Sequence, residues 1–140
     1  KDTPHARRSC ALLLELLLVK IAETAVPPGA AASPAFATYR RCKQHIEEDW
    51  RRLRTLDQLA AECHVDASHL CRLFQRFDHQ SPYQYLLRLK MNYAAKRLQE
   101  LAPVKQITEE VGFGDPFHFS RVFKSVMGVP PSQFARFGNR

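Results

Sequence analysis

The stretch LAAECHVDASHLCRLFQRF (residues 59–77) returns further along the chain as ITEEVGFGDPFHFSRVFKSVM (residues 107–127). Leu59 aligns with Ile107, Cys63 with Val111 and Val65 with Phe113 at an offset of 48 residues. Beyond a one-residue insertion, His69 aligns with His118, Arg72 with Arg121 and Phe74 with Phe123 at an offset of 49. Pro82 and Pro131, then Tyr85 and Phe134, continue the match. Self-similarity at a fixed spacing means that one supersecondary unit occurs twice.

Each copy reads as a helix of about eight residues, a turn of three or four, and a second helix of about eleven, judged from caps and apolar spacing. In the first copy Ala60 is small enough for close helix approach, and Leu59, Cys63, Val65, Leu70 and Leu73 supply a shared core. This is the helix-turn-helix pattern, whose second helix enters the major groove of DNA. An ordinary helical hairpin in a bundle is the plain alternative. Two copies, each with caps and an outward arginine in its second helix, favour the helix-turn-helix.

Start and stop signals extend this outward. Ser33 with Pro34 opens a helix to about Asp49. Thr55 with Gln58 forms a capping box, Asp66 caps the next helix, and Ser81 with Pro82 starts the longest one, which Pro103 stops. A short helix runs from Val104 to Val111, Asp115 with Pro116 opens another to about Val126, and Pro131 begins a last one. No stretch alternates with period two. The expected fold is all-α, with a first helix-turn-helix over residues 55–78, a connecting helix over 82–101 and a second helix-turn-helix over 104–127. The connecting helix carries Leu87, Met91, Ala94, Leu98 and Leu101 on one face and Leu86, Leu89 and Tyr93 on an adjoining one. Both units can therefore pack against it. At 1.5 Å per residue it spans roughly 30 Å, close to the ~34 Å between successive major-groove segments on one side of B-DNA.

Residues 1–25 are expected to form a separate apolar N-terminal helix, since nothing between His5 and Ala25 breaks one and Leu12, Leu13, Leu14, Leu16, Leu17, Leu18, Val19 and Ile21 leave only a narrow polar stripe. Such a helix must be buried by something else. Glu15 and Lys20 interrupt the most apolar run, Ala11 to Ala22, which falls short of the ~20 residues of a membrane span, so no membrane segment is expected. AVPPGAAASP (residues 25–34) reads as a linker, placed at 26–35, and leaves 36–140 as the main domain. Lys1 in place of an initiator Met suggests a fragment of a longer protein. The chain has 21 Lys+Arg against 14 Asp+Glu, a formal +7, and 17 basic and 11 acidic residues lie from Phe36 onward. That balance favours a polyanionic partner. Cys10, Cys42, Cys63 and Cys71 show no CxxC spacing and no signal peptide precedes them, as in a reduced, cytoplasmic protein.

EEVGFGDPFHFSRVFKSVMGVPPSQF (residues 109–134), together with the first unit and the SPYQYL that follows it, resembles the DNA-binding domain of the AraC/XylS family of bacterial transcription regulators. The resemblance runs from Tyr39 to Phe137. It implies double-stranded DNA as partner, with the two second helices in successive major grooves, usually activation of transcription, and contact with RNA polymerase at the nucleoid. Carried over residue by residue, the outward face of the first recognition helix is Ala67, Ser68, Cys71, Arg72 and Gln75. That of the second is Pro116, Phe117, Ser120, Arg121 and Lys124. Arg72 and Arg121 stand out, since guanidinium can take guanine O6 and N7 bidentately or clamp phosphate. The small residues around Arg72 leave base readout there to Arg72 and Gln75. The N-terminal helix and linker resemble the last helix and linker of the effector-binding, dimerising domain that longer members carry, which implies a homodimer for the full-length protein.

Some positions depart from the family pattern. His64 and His79 stand where glycine is usual, whereas the second copy keeps Gly112. Thr108 replaces an Ala in the helix packing, Lys90 a usual Arg on the connecting helix, and Arg97 one of a Leu pair.

An enzyme is the different-class alternative. Cys63, His64, His69 and Cys71 are close in sequence, but Cys63 falls at a core position and His69 at an inward-leaning one, whereas metal ligands converge on one point. No metal, catalytic residue or cofactor is expected, and no phosphate-cradling glycine loop is present. The other alternative is a helical protein-interaction or oligomerisation module without specific DNA binding. A steep fall of affinity with salt separates a DNA binder from it.

Overall fold

The computed structural model describes residues 33–137. Among them are seven α-helices and no strand: α1 Pro34–Asp49, α2 Leu56–Glu62, α3 Ala67–Asp78, α4 Pro82–Gln99, α5 Val104–Glu110, α6 Pro116–Met127 and α7 Pro131–Phe137. α1 begins at Pro34, so the last two residues assigned to the linker are helical. The expected apolar N-terminal helix lies outside the described residues.

Side-chain caps begin the helices where the sequence places them. The Ser81 hydroxyl accepts from the Gln84 N–H at 3.1 Å while Gln84 Oε1 accepts from the Ser81 N–H at 3.0 Å, a closed capping box. Thr55 differs from expectation. Its hydroxyl accepts from the Gln58 N–H at 3.1 Å, but the Gln58 side chain reaches past it to the Arg54 N–H at 3.0 Å. The second half of that box thus satisfies the residue before the cap.

The helix ends share one device. After α2, the N–H of His64 donates to Ala61 O and that of Val65 to Ala60 O. After α4, Leu101 donates to Leu98 O and Ala102 to Arg97 O; after α5, Gly112 donates to Glu109 O and Phe113 to Thr108 O. Each is a Schellman motif, which needs a left-handed residue at its first position beyond the cap. His64 (φ 56°), Leu101 (φ 60°) and Gly112 (φ 76°) fill it. Glycine is required only at Gly112, where a Cβ would stand 3.0 Å from the Arg51 carbonyl oxygen. This motif also explains why α4 ends at Gln99 rather than Leu101. Pro103 disfavours helical backbone at Ala102, so the chain turns before it, and Leu101, expected on the packing face, is 67% exposed.

Residues 34–137 form one compact unit with two apolar clusters. The first joins α1, α2, α3 and the start of α4 through Phe36, Ile46, Leu59, Cys63, Leu70, Phe74 and Leu86. The second joins the rest of α4 to α5 and α6 through Met91, Ala94, Leu98, Ile107, Val111, Phe119 and Phe123. The repeat holds in three dimensions: Leu59 and Ile107, Leu70 and Phe119, and Phe74 and Phe123 are all fully buried. Thr108, at the place of Ala60, is buried with its hydroxyl satisfied, donating to Val104 O at 2.7 Å. Trp50 packs against both clusters, and the ring of Tyr93 lies 5.1 Å from it.

Candidate nucleic-acid interface

Two helices repeat a local design that leaves one face free. Asp66 Oδ2 accepts from the N–H groups of Ser68 (3.0 Å) and His69 (3.3 Å), and Asp115 accepts from those of Phe117 (3.1 Å) and His118 (3.0 Å). These carboxylates satisfy the orphan donors of the first turns of α3 and α6. α3 then buries Leu70, Leu73 and Phe74, and α6 buries Phe119 and Phe123. At 3.6 residues per turn the positions between these face outward.

On α3, Ser68, Arg72 and Gln75 are exposed, Cys71 is half-buried, and Ala67 rests half-buried against the first cluster. On α6, Pro116, Phe117, Arg121 and Lys124 are exposed, and the half-buried Ser120 turns its hydroxyl back to Pro116 O at 2.8 Å. Neither Arg72 nor Arg121 is hydrogen-bonded or ion-paired through its side chain to another described residue. Phe117 holds a whole aromatic ring 81% in solvent on α6.

The four residues that suggested a metal centre do not come together among the described residues. Cys63 is core, Cys71 half-buried on α3, and His64 and His69 exposed. His69 corrects the expectation of an inward lean: it follows Ser68 in the first turn, before the helix meets the core at Leu70. A different cluster, His45, Asp49 and Glu62, has ligand-type atoms within 4.8 Å of one another. Its cation is already present in the chain, because Arg52 donates to Glu62 at 2.6 and 2.8 Å and lies 3.3 Å from Asp49. That fork, with His45 and Gln58, lowers the Glu62 carboxyl to about 2.

The two units are joined by a residue whose role periodicity does not show. Lys90 is 3% exposed, and its ammonium donates to Val111 O at 2.6 Å in the second unit and to Arg51 O at 3.3 Å ahead of the first. Burial, and the nearby Arg54 charge, lower it to about 8.

Residues 59–136 match a family model described as a helix-turn-helix domain. The MmsAB operon regulatory protein of Pseudomonas aeruginosa is 34% identical over 80 residues, 56% of this chain. The chain spans 26% of that relative's length, and no more than 44% of the lengths of two others from Streptomyces lividans and Bacillus subtilis. Among solved structures, the C-terminal domain of AraT, a response regulator from Geobacillus stearothermophilus, superposes with a TM-score of 0.66 at 31% identity, covering 75% of this chain and 86% of that one. A probable AraC family transcriptional regulator from Rhodopseudomonas palustris gives 0.61 at 25% identity, covering 73% and 97%. The chain belongs to the AraC/XylS family of helix-turn-helix transcription regulators.

Proposed function

We propose that this chain binds double-stranded DNA for a transcription regulator, with α3 and α6 lying in successive major grooves. The observation that carries this is the pair Arg72 and Arg121, at the same position of two repeated helices, both exposed and both with unengaged guanidinium groups among the described residues. Ser68, Cys71 and Gln75 flank the first arginine, and Phe117, Ser120 and Lys124 the second; Ala67 and Pro116 begin the two faces. α4, with 18 residues, is about 27 Å long at 1.5 Å per residue, of the order of the groove spacing. The family resemblance supports an activator that contacts RNA polymerase and a homodimeric full-length protein, and a binding role without catalysis.

Selection from random duplex DNA tests the reading. The expected product is a site of two short elements about one helical turn apart, with log affinity falling linearly against log salt. Recovery of no enriched sequence sinks it, and binding insensitive to salt favours the protein-interaction module.

A further inference from the structure

Between the two helix-turn-helix units lies a cleft of about 210 Å³, several times the roughly 30 Å³ that one water occupies in the liquid. Its walls come from three places: Arg54 just ahead of α2, Tyr83 and Lys90 of α4, and the turn Gly112 to Gly114 with His118 of the second unit. None of the residues lining it is acidic. Lys90 adds a buried positive charge to its lining, and among the described residues its ammonium donates to two backbone carbonyls and to no carboxylate. Arg54 is exposed, and its Nε lies 3.7 Å from where a Gly112 Cβ would stand. Among the described residues neither the Arg54 guanidinium nor the His118 imidazole is engaged in a hydrogen bond or ion pair; the His118 ring rests on Phe113, 5.3 Å between centroids. Nothing lies within 4 Å of a Cβ position on Gly114, so the backbone there is open to approach.

We propose that this cleft seats one backbone phosphate of the DNA that passes between the two major grooves, with Arg54 and His118 as donors and Lys90 as the fixed charge beside them. The inference rests on the DNA-binding reading above. Position favours the duplex over a free anion as source: His118, in the first turn of α6, and Arg54, two residues ahead of α2, both line the cleft, so a phosphate held there would lie beside one of the two helices assigned to the grooves. Unpaired cations of this kind are expensive to crowd together, and an anion between them relieves the repulsion. The seat would fix the register of both units at once, since its donors come from each of them.

The test replaces each phosphate between the two elements of the selected site by a neutral methylphosphonate, one at a time, against this chain. At one position the wild-type chain should lose about tenfold in affinity, the size expected for one charge-assisted hydrogen bond. Arg54→Gln should bind the unmodified site correspondingly less well, with its salt slope smaller by about one, and should be indifferent to the methylphosphonate at that position. Arg54→Lys should restore most of the slope, which loss of folding could not mimic. A flat scan with intact sequence-specific binding overturns the phosphate seat alone. So does an Arg54→Gln variant as sensitive as wild type. Absence of any specific binding overturns this inference together with the reading it rests on. Inorganic phosphate that shifts the Arg54 and His118 resonances with duplex already saturating would put a free anion in the cleft and refute the assignment to DNA.

Discussion

Glu62 and Glu110, 48 positions apart, are held in the same way. Each is the last residue of the first helix of its unit, each receives the side-chain amide of the glutamine four residues earlier (Gln58 at 3.0 Å, Gln106 at 2.8 Å), and each is gripped by an arginine fork. Arg52 reaches Glu62 from the loop after α1, while Arg97 reaches Glu110 from α4 at 2.9 and 3.0 Å. The repeat therefore extends to an ion pair, although the two arginines come from unrelated places in the chain. Arg97, which departs from the leucine usual at its position, is what gives the second unit its clamp.

That pair makes stability acid-sensitive. Arg97, then Gln106 and Tyr93, lower the Glu110 carboxyl to about 2, as Arg52 does for Glu62, from an ordinary 4.5. Folded values below the unfolded ones mean the stabilisation is complete above about 4.5 and is lost as pH falls toward 2. Melting temperatures followed by circular dichroism across this range should fall for wild type. The fall should be shallower for Glu110→Gln, and an unchanged profile would dissociate the carboxylate from acid unfolding.

Lys90 predicts the opposite end of the pH scale. Its folded value of about 8 lies below the ordinary 10.5, so between those limits the unfolded chain holds more protons and stability rises with pH. The full gain is on the order of 3 kcal/mol. Chemical denaturation at pH 7.5 and 10 should show this rise in wild type relative to Lys90→Met, which lacks the group. A variant with the same rise would point to other titrating side chains.

Leu101 and His79 sit in left-handed backbone at φ 60° and 54°. A Cβ there carries a penalty of roughly 1 kcal/mol that glycine avoids, partly offset by the greater freedom of an unfolded glycine. Leu101→Gly should therefore stabilise by up to about 1 kcal/mol, since the side chain is largely in solvent and little packing is lost. His79→Gly should give a smaller gain. A destabilised Leu101→Gly in urea unfolding would show that this leucine packs on something in solution.

Arg72→Ala and Arg121→Ala should each weaken binding to the selected site by roughly 1 to 3 kcal/mol and relax sequence preference at one position. Competition binding against single-base variants of the site measures both effects. If both mutants bind as wild type does, the reading residues lie elsewhere on α3 and α6. A uniform loss across all sequences would make the arginines phosphate clamps instead.

The sequence by itself determined the all-helical fold, the duplication and the two outward faces. These rest on short-range information: a cap bonds to a donor two or three residues on, and burial repeats every 3.6 residues, so Asp66, Asp115, Leu70 and Phe119 could be placed from their neighbours alone. Where local rules compete, the outcome needed the folded chain. Leu101 continued the apolar face of α4 by spacing, yet the restriction that Pro103 places on Ala102 turned the helix first. His69 was expected to lean inward, and is exposed because α3 meets its core one residue later. What only the tertiary structure decided are the contacts between residues far apart in sequence. Lys90 meets carbonyls 21 and 39 positions away, Trp50 is shared by both clusters, and Arg52 finds Glu62 across a loop. No periodicity encodes such pairings. They arise when two units, each legible alone, close on one helix, and the geometry of that closure brings Arg54, Lys90 and His118 to one cleft.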